Sequence, residues 1–234
     1  MVDVDPKALE LISRFAFCPN NLGYCGLESA SKKFVDCVSQ GRCEDVAEEL
    51  PEFKVLHPYL QMIAEVTGKH WLDYEVAEAY WLGNDLLKKF GNEHYEVLME
   101  WFLKQGLPDF FVEEIRSERP KTFIPIHLFN ILHVGVGRVT ASVERNLENI
   151  NQCMVRWGKV KEVEDEQVTV ALHSLVTESE IGVSNVTVKY MPEFLPEVGL
   201  GDVVAVHWGA AVLQLNERQV ENLEKWTRRL LEKL

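Results

Sequence analysis

The apolar period of this 234-residue chain changes once, at Cys153, and that change limits the folds open to it. Before it, the spacing is helical, clearest in the i, i+3, i+4, i+7 stripe of Val76, Ala79, Tyr80, Gly83, Leu87 and Phe90. After it, Val155, Trp157 and Lys159 alternate with Met154, Arg156 and Gly158, the period of a strand with two unlike faces. One polypeptide thus carries two kinds of buried surface in sequence. The reading is α+β: an N-terminal all-α helical domain over residues 1–151, then a small OB-like β-barrel with a C-terminal helix over 152–234.

Punctuation divides the first part into six to eight helices between Pro6 and about Glu118. Breaks fall near Pro51, at His57-Pro58, at Gly106 to Pro108 and at Arg119-Pro120. The stripe from Val76 to Phe90 reads as one helix, with Lys88 and Lys89 in its last turn and Gly91 as a left-handed cap. A last helix, carrying Val139, Val143, Leu147 and Ile150 on one face, links this body to the barrel.

In the second part, short β-rich runs at Val168 to Leu172, Val183 to Tyr190, Val203 to His207 and Ala211 to Leu215 follow the strand that opens near Cys153. Five such strands with turns between them suggest a closed barrel. Val220, Leu223, Trp226, Leu230 and Leu231 then mark the inner face of a terminal amphipathic helix.

The net charge is −13, spread as 15 Lys+Arg against 24 Asp+Glu before Cys153 and 9 against 13 from it onward. Neither part offers the basic face that phosphate binding needs, so no nucleic-acid partner is expected. No apolar run approaches the ~20 residues of a membrane span, and no secretory leader opens the sequence. Five cysteines without scaffold-like density read as reduced thiols in a cytoplasmic protein, with Cys37 and Cys43 packed as core.

Two stretches of the helical part carry chemistry. The turn-rich Phe17 to Gly26 loop holds Cys18, Tyr24 and Cys25, whose spacing is not that of a two-residue metal knuckle. The stretch Pro125 to Gly137 holds His127 and His133. Six residues of regular helix turn through about 600°, leaving the two imidazoles about 120° apart, so they converge only if Gly135 and Gly137 bend the segment. Together these five residues form a possible second site, an enzyme pocket that prepares an iron ligand while the barrel serves as docking arm. A metal-free protein-interaction module is the remaining alternative.

Cys153-Met154-Val155-Arg156-Trp157-Gly158-Lys159-Val160, taken with Gly201-Asp202-Val203-Val204-Ala205-Val206-His207-Trp208-Gly209 and the closing helix, resembles the HypC/HupF family of [NiFe]-hydrogenase maturation chaperones. Cys, Gly, Lys and Val keep the family's register, although Trp157 stands where that family has proline and Cys153 is internal. The resemblance covers about a third of the chain. It implies an accessory chaperone that carries iron bearing cyanide and carbonyl ligands. It implies a HypD-like scaffold or the hydrogenase large subunit as partner, and Cys153 and His207 as the residues that hold the iron unit. A soft thiolate and an imidazole suit low-spin iron.

Overall fold

The computed structural model describes residues 4–139 and 141–233. Helices α1 (Pro6–Asn21), α2 (Ala30–Gln40), α3 (Val46–Glu49), α4 (Leu56–Thr67), α5 (Tyr74–Trp81), α6 (Tyr95–Lys104) and α7 (Asp109–Ser117) build the first body. Short α8 (His127–Phe129) runs into a π-helical turn over Asn130–Gly135, and α9 (Leu147–Cys153) leads to the barrel. Strands β1 (Arg156–Val163), β2 (Gln167–Leu175), β3 (Ile181–Tyr190), β4 (Val203–His207) and β5 (Ala210–Gln214) precede α10 (Glu217–Leu231). The strands close in the order β1-β2-β3-β5-β4, antiparallel except for the β3–β5 pair, as in OB-type barrels. The α+β expectation therefore holds, barrel and closing helix included.

Alternation explains what each strand buries. Val160, Val168, Val170, Leu172, Val204 and Val206 point inward and pack with Phe194 and Leu195. The opposite face of β1 and β4, with Trp157 paired to Ala205, joins Met154, Val155, Val212 and Leu215 in the same apolar cluster as the helical body. Leu223, Trp226 and Leu230 of α10 belong to that cluster too. Helix α1 forms the seam: Phe17 packs on Phe194, and the Arg14 guanidinium donates to the carbonyls of Phe194 and Val212 at 2.7 and 3.1 Å.

Four sequence expectations are corrected. The stripe from Val76 to Phe90 is two pieces, α5 and a 3-10 turn over Asp85–Lys89, parted at Gly83 with φ +78°. A Cβ at Gly83 would lie 2.5 Å from Trp226 Cδ1, so the helix yields to the docking of α10. Gly91, at φ −141°, is extended rather than left-handed. The linker helix begins only at Leu147, where the Asn146 side chain accepts from the Asn149 N–H, because Gly137 and Ala141 upstream have φ +69° and +52°. Last, Cys37 and Cys43 are joined as a disulfide, so the thiols are not all reduced; Cys18, Cys25 and Cys153 are free.

Candidate functional site

Cys153, His207 and His127 reach one point from three elements. In β4, Val204 and Val206 face the barrel interior, so Ala205 and His207 face the helical body. Cys153 is the last residue of α9, with only Met154 and Val155 between it and the start of β1. His127 opens α8. One donor atom from each of the three lies within 4.8 Å of the others. A tetrahedral site with ordinary metal–nitrogen and metal–sulfur bonds needs about 3.5 Å between donors, so a modest contraction would seat an ion.

His207 is held in one tautomer. Its Nδ1 lies 2.8 Å from the Phe15 carbonyl and donates to it. That carbonyl is free because its i+4 partner within α1 is Pro19, which has no N–H. The proton is thus on Nδ1, and the buried Nε2 makes no hydrogen bond; the nearby Cys153 carbonyl, which favours the charged ring, only accepts and so leaves the Nε2 lone pair for a ligand. A metal-binding histidine is prepared in this way, with its second nitrogen tied to a backbone carbonyl.

His127 is held differently. Its Nε2 sits 3.0 Å from the Cys153 carbonyl and 3.8 Å from the Cys153 sulfur, while Nδ1 is 2.9 Å from the Tyr80 hydroxyl. A carbonyl only accepts, so Nε2 carries the proton and Tyr80 donates to Nδ1. For His127 Nε2 to hold a metal, its proton would have to move to Nδ1, with the Tyr80 hydroxyl oxygen turned to accept it.

Burial sets the charge. It lowers the His207 pKa to about 4, and it pushes His127 well below 6.5 with help from neighbouring His207. It raises the Cys153 thiol well above 9.0, as does the nearby Cys25 thiol, while the Trp208 indole N–H beside the sulfur opposes the shift. At neutral pH the cluster is two neutral imidazoles and a thiol, and loading a cation would release the thiol proton.

The cluster borders a cavity of about 110 Å³. The barrel contributes His207 and Trp208 to its wall and α9 contributes Cys153. The rest comes from the helical body, including Pro19, Cys25, Phe53, Tyr80, Trp81 and Asn130.

The residues singled out in the helical part separate. His127 joins Cys153 and His207, and Cys25, its thiol pushed up to about 11 by burial, lines the same cavity. The Tyr24 ring packs on Trp208 at 4.6 Å. Cys18 is buried in α1, its thiol raised to about 12, and does not line the cavity. His133 points elsewhere, 3.0 Å from the Tyr95 hydroxyl and stacked on Phe129. The π-helical turn does not bring it to His127. Tyr80, Trp81 and Trp208 are site residues that the sequence reading missed. Pro19 lies inside α1 rather than in the loop expected from the sequence, and there it frees one backbone carbonyl for a side chain.

Fold and site together define an α+β protein with an OB-type barrel and, between barrel and helices, a Cys–His–His donor set whose two imidazoles are buried and whose thiol is partly so. The chain belongs to the DUF6390 family, a family of unknown function, whose model matches residues 5–234. No curated protein and no solved structure matches it.

Proposed function

We propose that this protein is a metal-binding accessory protein of hydrogenase maturation. In this reading it holds an iron unit, with cyanide and carbonyl ligands, on Cys153 and His207, with His127 as a third donor. It takes the unit from a HypD-like scaffold or gives it to a [NiFe]-hydrogenase large subunit in the cytoplasm. The observation that carries the reading is the His207 Nε2 lone pair, buried, unpartnered and fixed in its tautomer beside a thiol. The resemblance had already paired Cys153 with His207, and their donor atoms do lie together.

Enclosure gives the helical body a role in this reading. Cyanide and carbonyl ligands on iron are small and need protection from water, and the largely apolar wall supplies it. A soft thiolate and two imidazoles are a donor set that iron accepts.

The test is an infrared spectrum of protein purified anaerobically from cells that express the maturation scaffold, compared with Cys153→Ala. Cyanide and carbonyl bands in wild type that vanish in the variant are expected. Bands that survive the variant would move the iron away from Cys153. A wild-type spectrum with no bands would overturn the carrier reading.

A further inference from the structure

We infer that the outer edge of β3 is a self-association site, to which a second copy of this chain adds its own β3 antiparallel, about a two-fold axis at Ser184. The inference stands on the barrel alone and owes nothing to the metal reading.

Strand β3 is longer than the strand that closes the barrel beside it. It pairs with β2 from Ile181 to Lys189, but with β5 only at Lys189 and Tyr190. Hydrogen bonds at its two ends fix which groups turn outward. The Val176 N–H donates to the Glu180 carbonyl and the Tyr190 N–H to the Glu166 carbonyl, so the even-numbered residues of β3 bond toward β2. Odd-numbered residues turn N–H and C=O to the other side, as Lys189 shows by donating to the Gly209 carbonyl. Among the described residues, no strand or loop pairs with the outward groups of Ile181, Val183, Asn185 and Thr187. This stretch faces solvent, Val183 being 58 % exposed.

An open edge accepts a further strand, and soluble proteins ordinarily blunt it with a lysine, a proline or a bulge. Residues 181–188 hold no charge and no proline, and their register with β2 is unbroken. The flanking charges select the occupant and its direction. Glu180 precedes the uncharged run and Lys189 follows it. An antiparallel second copy brings the acidic end of each strand to the basic end of the other, whereas a parallel one sets like charge beside like. A two-fold axis at Ser184 places Ile181 opposite Thr187 of the other copy and Val183 opposite its Asn185. Each of the four outward N–H groups then meets a carbonyl. Moving the axis to Asn185 would set Ile181 against Lys189, whose N–H already belongs to Gly209.

Sedimentation of the full chain over a concentration series is the test. Wild type should pass from the mass of one chain to twice that mass as concentration rises. Association should slow amide exchange at Ile181, Val183, Asn185 and Thr187, which exchange freely in the single chain. Ser184 is exposed, and Ser184→Glu would set two carboxylates against each other across the axis. Dimerisation should weaken by about fivefold or more, the scale of like charges placed directly opposite. Ser184→Lys should weaken it similarly, and an equimolar mixture of the two variants should associate again, Glu against Lys. Wild type that stays a single chain at every concentration would overturn the inference, even if the edge then serves a foreign strand. A dimer that protects none of the four amides, or that both variants leave at full strength, would put the contact elsewhere and overturn it too. A mixture that associates no better than either variant alone would overturn the axis at Ser184.

Discussion

The carbonyl that orients His207 is available because residue 19 is proline. Restoring an N–H there, in Pro19→Ala, would let α1 reclaim the Phe15 carbonyl and put His207 Nδ1 in competition for it. We expect metal affinity to fall by about tenfold, the usual scale for losing such an outer-shell partner. The helix itself should be undisturbed or firmer, as helical circular dichroism would report. Unchanged cobalt affinity would show that the Phe15 bond does not prepare His207. Acid exposes the same residue. In the unfolded chain His207 protonates below about 6.5, whereas in the folded metal-free protein it stays neutral until about 4. The unfolded state therefore binds more protons in that window, and stability falls as pH drops through it, by on the order of 3 kcal/mol from His207 alone. His127 acts in the same direction. Denaturant midpoints of the metal-free protein between pH 7 and 4.5 should show the decline, with a shallower slope in His207→Gln; matching slopes would refute the assignment. Cys153 and His207 were legible as a pair only through the HypC/HupF resemblance, and their donor atoms lie together. Their third member was not, since His127 is distant in sequence and only the packing of α8 against α9 and β4 reveals it.

Strands were the easiest elements to read and helix boundaries the hardest. A period-two pattern marks β2, whose Val168, Val170 and Leu172 face the barrel interior, while β4 is marked by an unbroken apolar run buried on both faces. The helix stripe ending at Phe90 misled because a stripe records burial, and the 3-10 turn over Asp85–Lys89 buries Leu87 as a helix would. The left-handed Gly83 between them is required by α10, an element more than a hundred residues away. Close approach also explains Gly158 in the middle of β1. A Cβ there would sit 2.2 Å from the Ala171 carbonyl oxygen on β2, a backbone atom that has no rotamer to escape by. Gly158→Ala should spread the β1–β2 ladder and destabilise the protein by about 2 kcal/mol or more, the scale of overpacking a tight site. In a chain of this size that lowers the melting temperature by roughly 4–8 °C. A variant that melts with wild type would contradict the register that pairs Gly158 with Leu172.

At the scale of the whole molecule, the architecture changes from helices to strands after α9, which runs through residue 151 to Cys153, while the apolar interior crosses that change. One cluster takes in Phe15, Tyr80, Trp81 and Phe129 from the helices together with Trp157, Ala205, Val212, Trp226 and Leu230 from the barrel and its closing helix. The barrel's own interior is smaller and is reached by Phe17 from α1. Removing the helical body would lay bare the outer face of β1 and β4 and the inner face of α10, at about 25 cal/mol for each Å² of apolar surface returned to water. It would also remove the Phe15 carbonyl from His207 and His127 from the metal site. A fragment of residues 152–234 is therefore expected to aggregate or to bind hydrophobic dyes, and to hold cobalt far more weakly than the full chain. The full chain should unfold in one transition, shifted upward as a whole by metal, since the ion ties both parts together. Calorimetry with and without Co(II) makes the comparison. Two separate transitions, with metal moving only the barrel's, would mean that the barrel folds and binds by itself and that the helices only cover it.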